Sequence, residues 1–249
     1  MLRFGTEAWF VQARALVEPV KLSADLSCAL QFDVSGKRWF FRVASGRVAG
    51  WDIGSLDEPD VELRWQTEDA RRILGRELRG DDAMQATTVV ARTADDIYVG
   101  PPAPLNLACR PELASLPVVA GATVTVQYRY RRGPFGDVDH VLRFEDGRLA
   151  EERLGRLEDP DVRVDVTYRA MAQVRAGDIS IVDGLADGAV HGDIGPLAAL
   201  AGILESPEFH TAEVATGRHA LALAVLGELD ADPAFATATQ QLAASTRWT

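Results

Sequence analysis

The residue types that could do chemistry are few and scattered along this chain. Four histidines occur, His140, His191, His210 and His219. His191 and Asp193 stand two apart and could both face a cation, but no third ligand sits at metal spacing. The pair reads instead as a strand end beside a helix, with Asp193 as a cap acceptor. His210 and His219 are too far apart in sequence for a helical i, i+4 pair and read as solvated. No Gly-x-Ser-x-Gly elbow is present, so nothing supports a serine hydrolase of that type. Asp81-Asp82, Asp95-Asp96, Asp230 and Asp232 lack calcium-loop spacing and read as turns and caps. Gly184–Gly195 is glycine-rich, yet it matches neither a dinucleotide fingerprint nor a phosphate loop and carries no lysine. Gly192-Asp193-Ile194-Gly195 therefore reads as a tight strand-to-helix turn. Cys28 and Cys109 fit two buried thiols in a reducing compartment better than a disulfide framework. No catalytic residue, metal site or cofactor is expected.

Charge and hydropathy narrow the partners. A net charge of −11 argues against nucleic acid, which needs clustered Lys and Arg, and against an anionic membrane surface. The most apolar runs, Pro196–Leu204 and Ala220–Leu226, fall far short of the ~20 residues that cross a bilayer. No stable membrane insertion is expected. The N-terminal MLRFGTEAWF has no secretory pattern, and a cytoplasmic location is expected.

The elements that position these residues are organised around a stretch that occurs twice. Gly46–Val61 reads GRVAGWDIGSLDEPDV and Gly147–Val162 reads GRLAEERLGRLEDPDV, gapless at an offset of 101 (46 to 147). Half of the pairs are identical, including Gly54/Gly155, Pro59/Pro160 and Asp60/Asp161. A period this long suits a duplicated domain rather than a solenoid. In the first copy, Thr6 can cap a helix carrying Trp9, Phe10, Ala13, Leu16 and Val17 on one face. Alternation over Leu26–Phe32, then Trp39–Val43 and Arg47–Trp51, predicts an antiparallel meander. Val61, Leu63 and Trp65 alternate next. Thr67 then caps a helix with Ala70, Ile73, Leu74 and Leu78 inward and Gly80 at its end. Ala86–Ala91 is a further strand. Five prolines between Pro101 and Pro117 place the domain junction there.

The second copy repeats the order. Val124–Tyr130, Val138–Phe144 and the repeated stretch make a meander, and Val162, Val164 and Val166 alternate after it. A short helix with Ala170, Met171 and Val174 inward ends at Gly177. Ser180-x-x-Asp183 has capping-box form and opens a helix with Ile181 and Leu185. Ala189–His191 is a strand. A helix from Pro196 puts Leu197, Leu200, Ala201 and Leu204 on one face, and Ser206-Pro207 stops it. Helices over Arg218–Leu229 and Pro233–Ala244 follow, the second capped by Asp232 with Phe235, Ala238 and Leu242 inward. The pattern predicts α+β: two tandem domains, each a mainly antiparallel sheet with helices on one face. Their expected extents are 1–105 and 118–249, with the C-terminal helices in the second.

More apolar helix surface follows the second sheet than one small sheet covers. Either it forms a filled core, or helices and sheet enclose an apolar cavity. The order from Asp159 onward, Asp161, Val162, Val164, Val166, then Gly177-Asp178, then Gly188-x-Val190-x-Gly192-Asp193 and Leu197, resembles the sterol-carrier-protein type 2 lipid-binding domain. Phe4–Trp9 and the first meander are similar to the start of such domains. The resemblance implies a five-stranded sheet with helices on one face and an apolar tunnel for a sterol, fatty acid or acyl-CoA. It implies an intracellular carrier rather than an enzyme, and a lipid-like small molecule as partner. The tunnel candidates are Val164, Val166, Met171, Val174, Ile181, Leu185, Val190, Leu197, Leu200 and Leu204. The first copy lacks both Gly of the Gly188–Gly192 pattern and the Leu197 helix, so it is expected to support the second. The alternatives are a non-catalytic interaction module with a filled core, as a homodimer or an enzyme's partner, and an enzyme with an unrecognised site.

Overall fold

A computed structural model describes residues 1–92, 97–100, 123–146, 148–192, 195 and 207–248. They fall into two compact units. The first holds the described residues of Met1–Pro102, with Pro134–Gly136 and Ala222–Thr249; the second holds those of Ala103–Gly133 and Asp137–Leu221. The proline-rich junction Pro101–Pro117, Cys109, Asp95-Asp96, Asp193 and the helix expected over Leu197–Leu204 lie outside the described residues.

The first unit runs β1 (Leu2–Arg3), α1 (Glu7–Val17), β2 (Cys28–Val34), β3 (Lys37–Ala44), β4 (Arg47–Ile53), β5 (Val61–Trp65), α2 (Thr67–Leu74), α3 (Gly80–Gln85), β6 (Thr88–Arg92) and β7 (Ile97–Gly100). Its sheet has the order β4-β3-β2-β5-β6-β7, antiparallel at every join except the parallel β2–β5. The second unit runs β8 (Val124–Gly133), β9 (Gly136–Glu145), β10 (Arg148–Leu154), β11 (Val162–Thr167), α4 (Tyr168–Ala176), α5 (Ile181–Leu185) and β12 (Ala189–Gly192). Its order is β10-β9-β8-β11-β12, again with one parallel join, β8–β11. Last come α6 (Pro207–Ala231), α7 (Pro233–Ser245) and β13 (Thr246–Arg247). Each unit is α+β, a mainly antiparallel sheet with helices on one face.

The two sheets agree in detail. Trp39 pairs with Ile53 and His140 with Leu154; Phe41 pairs with Trp51 and Leu142 with Glu152. Both β-ladders then slip by one residue, which leaves Ala49 and Ala150 as the bulged residues. Gly54 and Gly155 follow at φ +122 and +114, and their N–H groups donate to Arg38 O and Asp139 O. The buried Gln31 accepts from Leu56 N at 2.6 Å, as the buried Gln127 does from Leu157 N at 2.9 Å. Asp60 takes the Ala29 N–H on its carboxylate, and Asp161 takes that of Thr125. The Thr125 hydroxyl also donates to Asp161, and these bonds hold that carboxyl below its ordinary value.

Local signals fix most helix ends. The Thr6 hydroxyl accepts from Trp9 N, and Trp9, Phe10, Ala13 and Val17 are buried on one face of α1. Ser180 caps α5, accepting from Asp183 N, and Gly177 ends α4 in the left-handed region. Asp232 caps α7 with Pro233 in its first turn. Three expectations change. α2 stops at Gly75, and Gly80 opens α3 rather than closing α2. The residue that caps α2 is Gln66, while Thr67 is its first helical residue and bonds the Ser35 hydroxyl. The helix expected over Arg218–Leu229 begins eleven residues earlier, at Pro207, whose fixed φ and missing N–H suit a first turn.

The C-terminal segment from Ala222 packs in the first unit, whereas the sequence reading grouped it with the second. α7 lies against α1 and α2, and β13 pairs in parallel with β1, matching Leu2 with Thr246. Trp9 Nε1 donates to Thr246 Oγ1 at 3.1 Å, and Trp248 stacks on Phe4 with centroids 4.6 Å apart. Ser23 donates its N–H and its hydroxyl to the Glu228 carboxylate, both at 2.7 Å. Helical periodicity tells which face of a helix is apolar, not which sheet that face will cover.

The φ values at Gly54 and Gly155 lie where a Cβ is strained. Gly54→Ala and Gly155→Ala should each cost about 1–3 kcal/mol, read as a loss of thermal stability. A wild-type melting temperature in either variant would remove that turn from the fold's requirements.

Candidate functional site

The first unit's sheet turns large side chains inward at every other position. Phe32 and Val34 on β2, Trp39 and Phe41 on β3, Trp51 on β4 and Trp65 on β5 share one face. α1 brings Trp9, Ala13, Leu16 and Val17 over them, and α2 brings Ala70, Ile73 and Leu74. The C-terminal segment adds Leu226, Leu229, Phe235, Thr239 and Leu242, and Phe135 completes the wall. These side chains do not fill the space among them, which is partly open to solvent. A cavity of about 120 Å³ remains among them.

The aromatic rings are held in place. Phe32 stacks on Trp39 with centroids 5.3 Å apart, Phe41 stacks on Trp51 at 5.9 Å, and Trp9 meets Trp39 edge-on at 5.7 Å. Trp65 Nε1 donates to Thr87 Oγ1 at 2.7 Å, so both Trp9 and Trp65 satisfy their polar N–H away from the cavity. The walls are therefore rigid and apolar. The polar part of the lining includes Arg76, Arg79 and Asp230. Arg79 forks onto both Asp230 carboxylate oxygens, with Nη1 2.6 Å from Oδ1, and Arg76 reaches Oδ1 at 3.0 Å. This ion-pair cluster, largely shielded from water, fixes the turn after α2 to the C-terminal end of α6.

The arrangement can hold an apolar molecule by burial. The described lining contains no thiol, imidazole or hydroxyl–base pair that would act on one. No cluster of metal-ligating side chains occurs among the described residues. Cys28 is half-buried, and burial with the nearby Asp60 pushes its thiol up to about 12, so it is no nucleophile.

The residues expected to line a tunnel belong to the second unit. Val164, Val166 and Met171 are fully buried there, while Val174, Ile181, Leu185 and Val190 are half-buried. Leu197, Leu200 and Leu204 lie outside the described residues. The cavity described above is in the first unit, for which the sequence reading assigned only a supporting role. Leu74 on α2 is part of its wall. The cavity was missed because Trp and Phe at alternate strand positions read as ordinary core. Nothing in a pattern states whether facing side chains meet.

Among solved structures, two are similar to part of this chain. Palmitated SCP2L2 from Aedes aegypti is 18% identical, aligned over 34% of this chain and 76% of that one, with a TM-score of 0.30. The stereoselective inverting sec-alkylsulfatase Pisa1 from Pseudomonas sp. is 22% identical over 35% of this chain, which spans 14% of its length, with a TM-score of 0.29. At these scores neither likeness bears on function. No family model and no curated protein matches the chain. No helix among the described residues is long and apolar enough to cross a membrane.

Ala13 faces the cavity from α1. In a filled core, adding three carbons there would cost about 1–3 kcal/mol. Ala13→Leu should instead be neutral or stabilising in chemical denaturation, because the new atoms enter open space. A loss of 2 kcal/mol or so, the overpacking penalty, would show that the space is not there.

Proposed function

We propose that the chain is a non-catalytic carrier or binding protein for an apolar ligand, held in the aromatic cavity of the first unit. The observation that supports this reading is the unfilled, rigid-walled cavity itself. Apolar cavities of roughly 150 Å³ stay dry and take benzene. A cavity of about 120 Å³ therefore suits one ring or a short stretch of alkyl chain. A complete long-chain lipid needs more room, so its remaining length would lie outside the cavity or part the walls. Four buried methylenes contribute about 3 kcal/mol, no more than the ~4 kcal/mol or greater cost of association. Stacking on the fixed rings favours an aromatic ligand, and an affinity on the order of 0.1–1 mM corresponds to roughly 4–5.5 kcal/mol. Weak, shape-tolerant binding suits a carrier, which must release what it holds.

We read the two units as tandem copies of one sterol-carrier-like domain in which the first keeps the apolar site. The shared strand order, bulge position and Gln and Asp contacts support that reading.

Bromobenzene tests the function. Its heavy atom quenches tryptophan fluorescence on contact, and Trp9, Trp39, Trp51 and Trp65 all line the cavity. Saturable quenching is expected, together with its loss in Leu74→Phe, which fills the wall. Linear, collisional quenching in the wild-type protein would defeat the proposal.

A further inference from the structure

The second unit uses the same scaffold with a different interior. In register, Trp39 of the first unit corresponds to His140, Trp51 to Glu152 and Val34 to Tyr130. Leu74 of α2 corresponds at the repeat offset to Arg175 of α4, which packs on β8 and β11. Four cavity-lining apolar positions are thus polar or ionisable in the second unit, and all four side chains are buried. His140 Nε2 lies 3.0 Å from Glu152 Oε1. Tyr130 packs its ring 6.1 Å from those of both His140 and Tyr168.

The first unit serves as an internal control, because the same strand order and register form there with apolar residues at these positions. The fold does not require the polar set. Burying such groups is unfavourable unless each finds a partner. Glu152, Tyr168 and Arg175 each make further interactions. The Tyr130 hydroxyl and His140 Nδ1 have no hydrogen-bond partner, although both residues are almost wholly buried. Unsatisfied buried groups of this kind point to an absent water or ligand.

The chemistry of the missing partner follows from the donors and acceptors present. His140 Nε2 faces the Glu152 carboxylate, and Nδ1 on the other side of the ring is the atom left without a partner; an imidazole nitrogen donates or accepts according to where its proton sits. Burial pushes the Tyr130 hydroxyl well above its usual value, so it stays protonated and can donate or accept. A hydroxyl both donates and accepts, so it can complete the Tyr130 hydroxyl together with His140 Nδ1 in either tautomer. We propose that the interior of the second unit is a separate binding site for a hydroxyl-bearing molecule, whose hydroxyl bridges His140 Nδ1 and the Tyr130 hydroxyl. The chain then carries two sites of different chemistry on one repeated scaffold. This second site does not depend on the apolar site of the first unit.

The two sites can be read independently. All five tryptophans lie in the first unit, so their fluorescence reports that unit alone. The imidazole 15N resonances of the full-length protein, with His140 assigned through His140→Gln, report the second. The probes are cyclohexanol, phenol and 1-decanol, each beside its hydrocarbon match, methylcyclohexane, toluene or decane. At least one alcohol should shift the His140 Nδ1 resonance saturably while its hydrocarbon match does not. Tyr130→Phe should keep the wild-type melting temperature and weaken that response about tenfold, one lost hydrogen bond. The proposal fails if no alcohol moves Nδ1, or if hydrocarbons act equally. It also fails if Tyr130→Phe leaves the response unchanged, or if a long-lived water proves to be the sole partner of Nδ1.

Discussion

Both units depend on carrying the chain from the end of a three-stranded meander back across the sheet, to lay a strand parallel to the first. A parallel join cannot be closed by a tight turn. Here the connection is only Gly54–Asp60, or Gly155–Asp161, without a helix. It works because each such segment is fastened to the strand it crosses. The buried Gln31 or Gln127 holds the backbone N–H of Leu56 or Leu157, and Asp60 or Asp161 holds the backbone of the first strand. Once these contacts form, the register of β5 and β11 is set. The next helix then lands on the same face as the side chains of the meander.

What that face presents depends on a handful of positions. In the first unit, Trp39, Trp51, Val34 and Leu74 make an apolar wall, and α1 and the C-terminal segment supply the other side of a partly open space. Ring stacking holds Trp39 and Trp51, and indole hydrogen bonds hold Trp9 and Trp65, away from the last of the space. In the second unit, His140, Glu152, Tyr130 and Arg175 occupy the corresponding places and form a buried polar group. One strand order therefore presents two chemistries, because the chemistry lies in the side chains at a few positions and not in the fold.

Much of the fold was legible in the residues. Alternation at Val61, Leu63 and Trp65, the Thr6 cap, the Ser180–Asp183 box, the Gly177 stop and the Asp232-Pro233 start each carry a local physical cause. The misreadings share another cause. Glycine often ends helices, which is what Gly80 suggests in the sequence, yet its φ of +50 serves the start of α3. The C-terminal helices were grouped by nearness in sequence, while their apolar faces and the β1–β13 pair belong with the first sheet. The polar interior of the second unit could have been found. His140 shares inward parity with Val138, Leu142 and Phe144 on β9, and the repeat offset pairs it with a tryptophan. The cavity could not, because a void is a property of three-dimensional fit.

A crystal of the full-length protein held under xenon pressure tests the central claim most directly, since xenon enters dry apolar cavities and avoids polar ones. An anomalous xenon peak is expected in the first unit among Trp9, Trp39 and Leu242, and none beside Tyr130 and His140 in the second. A first unit without xenon, its rings collapsed into the space, would contradict the claim.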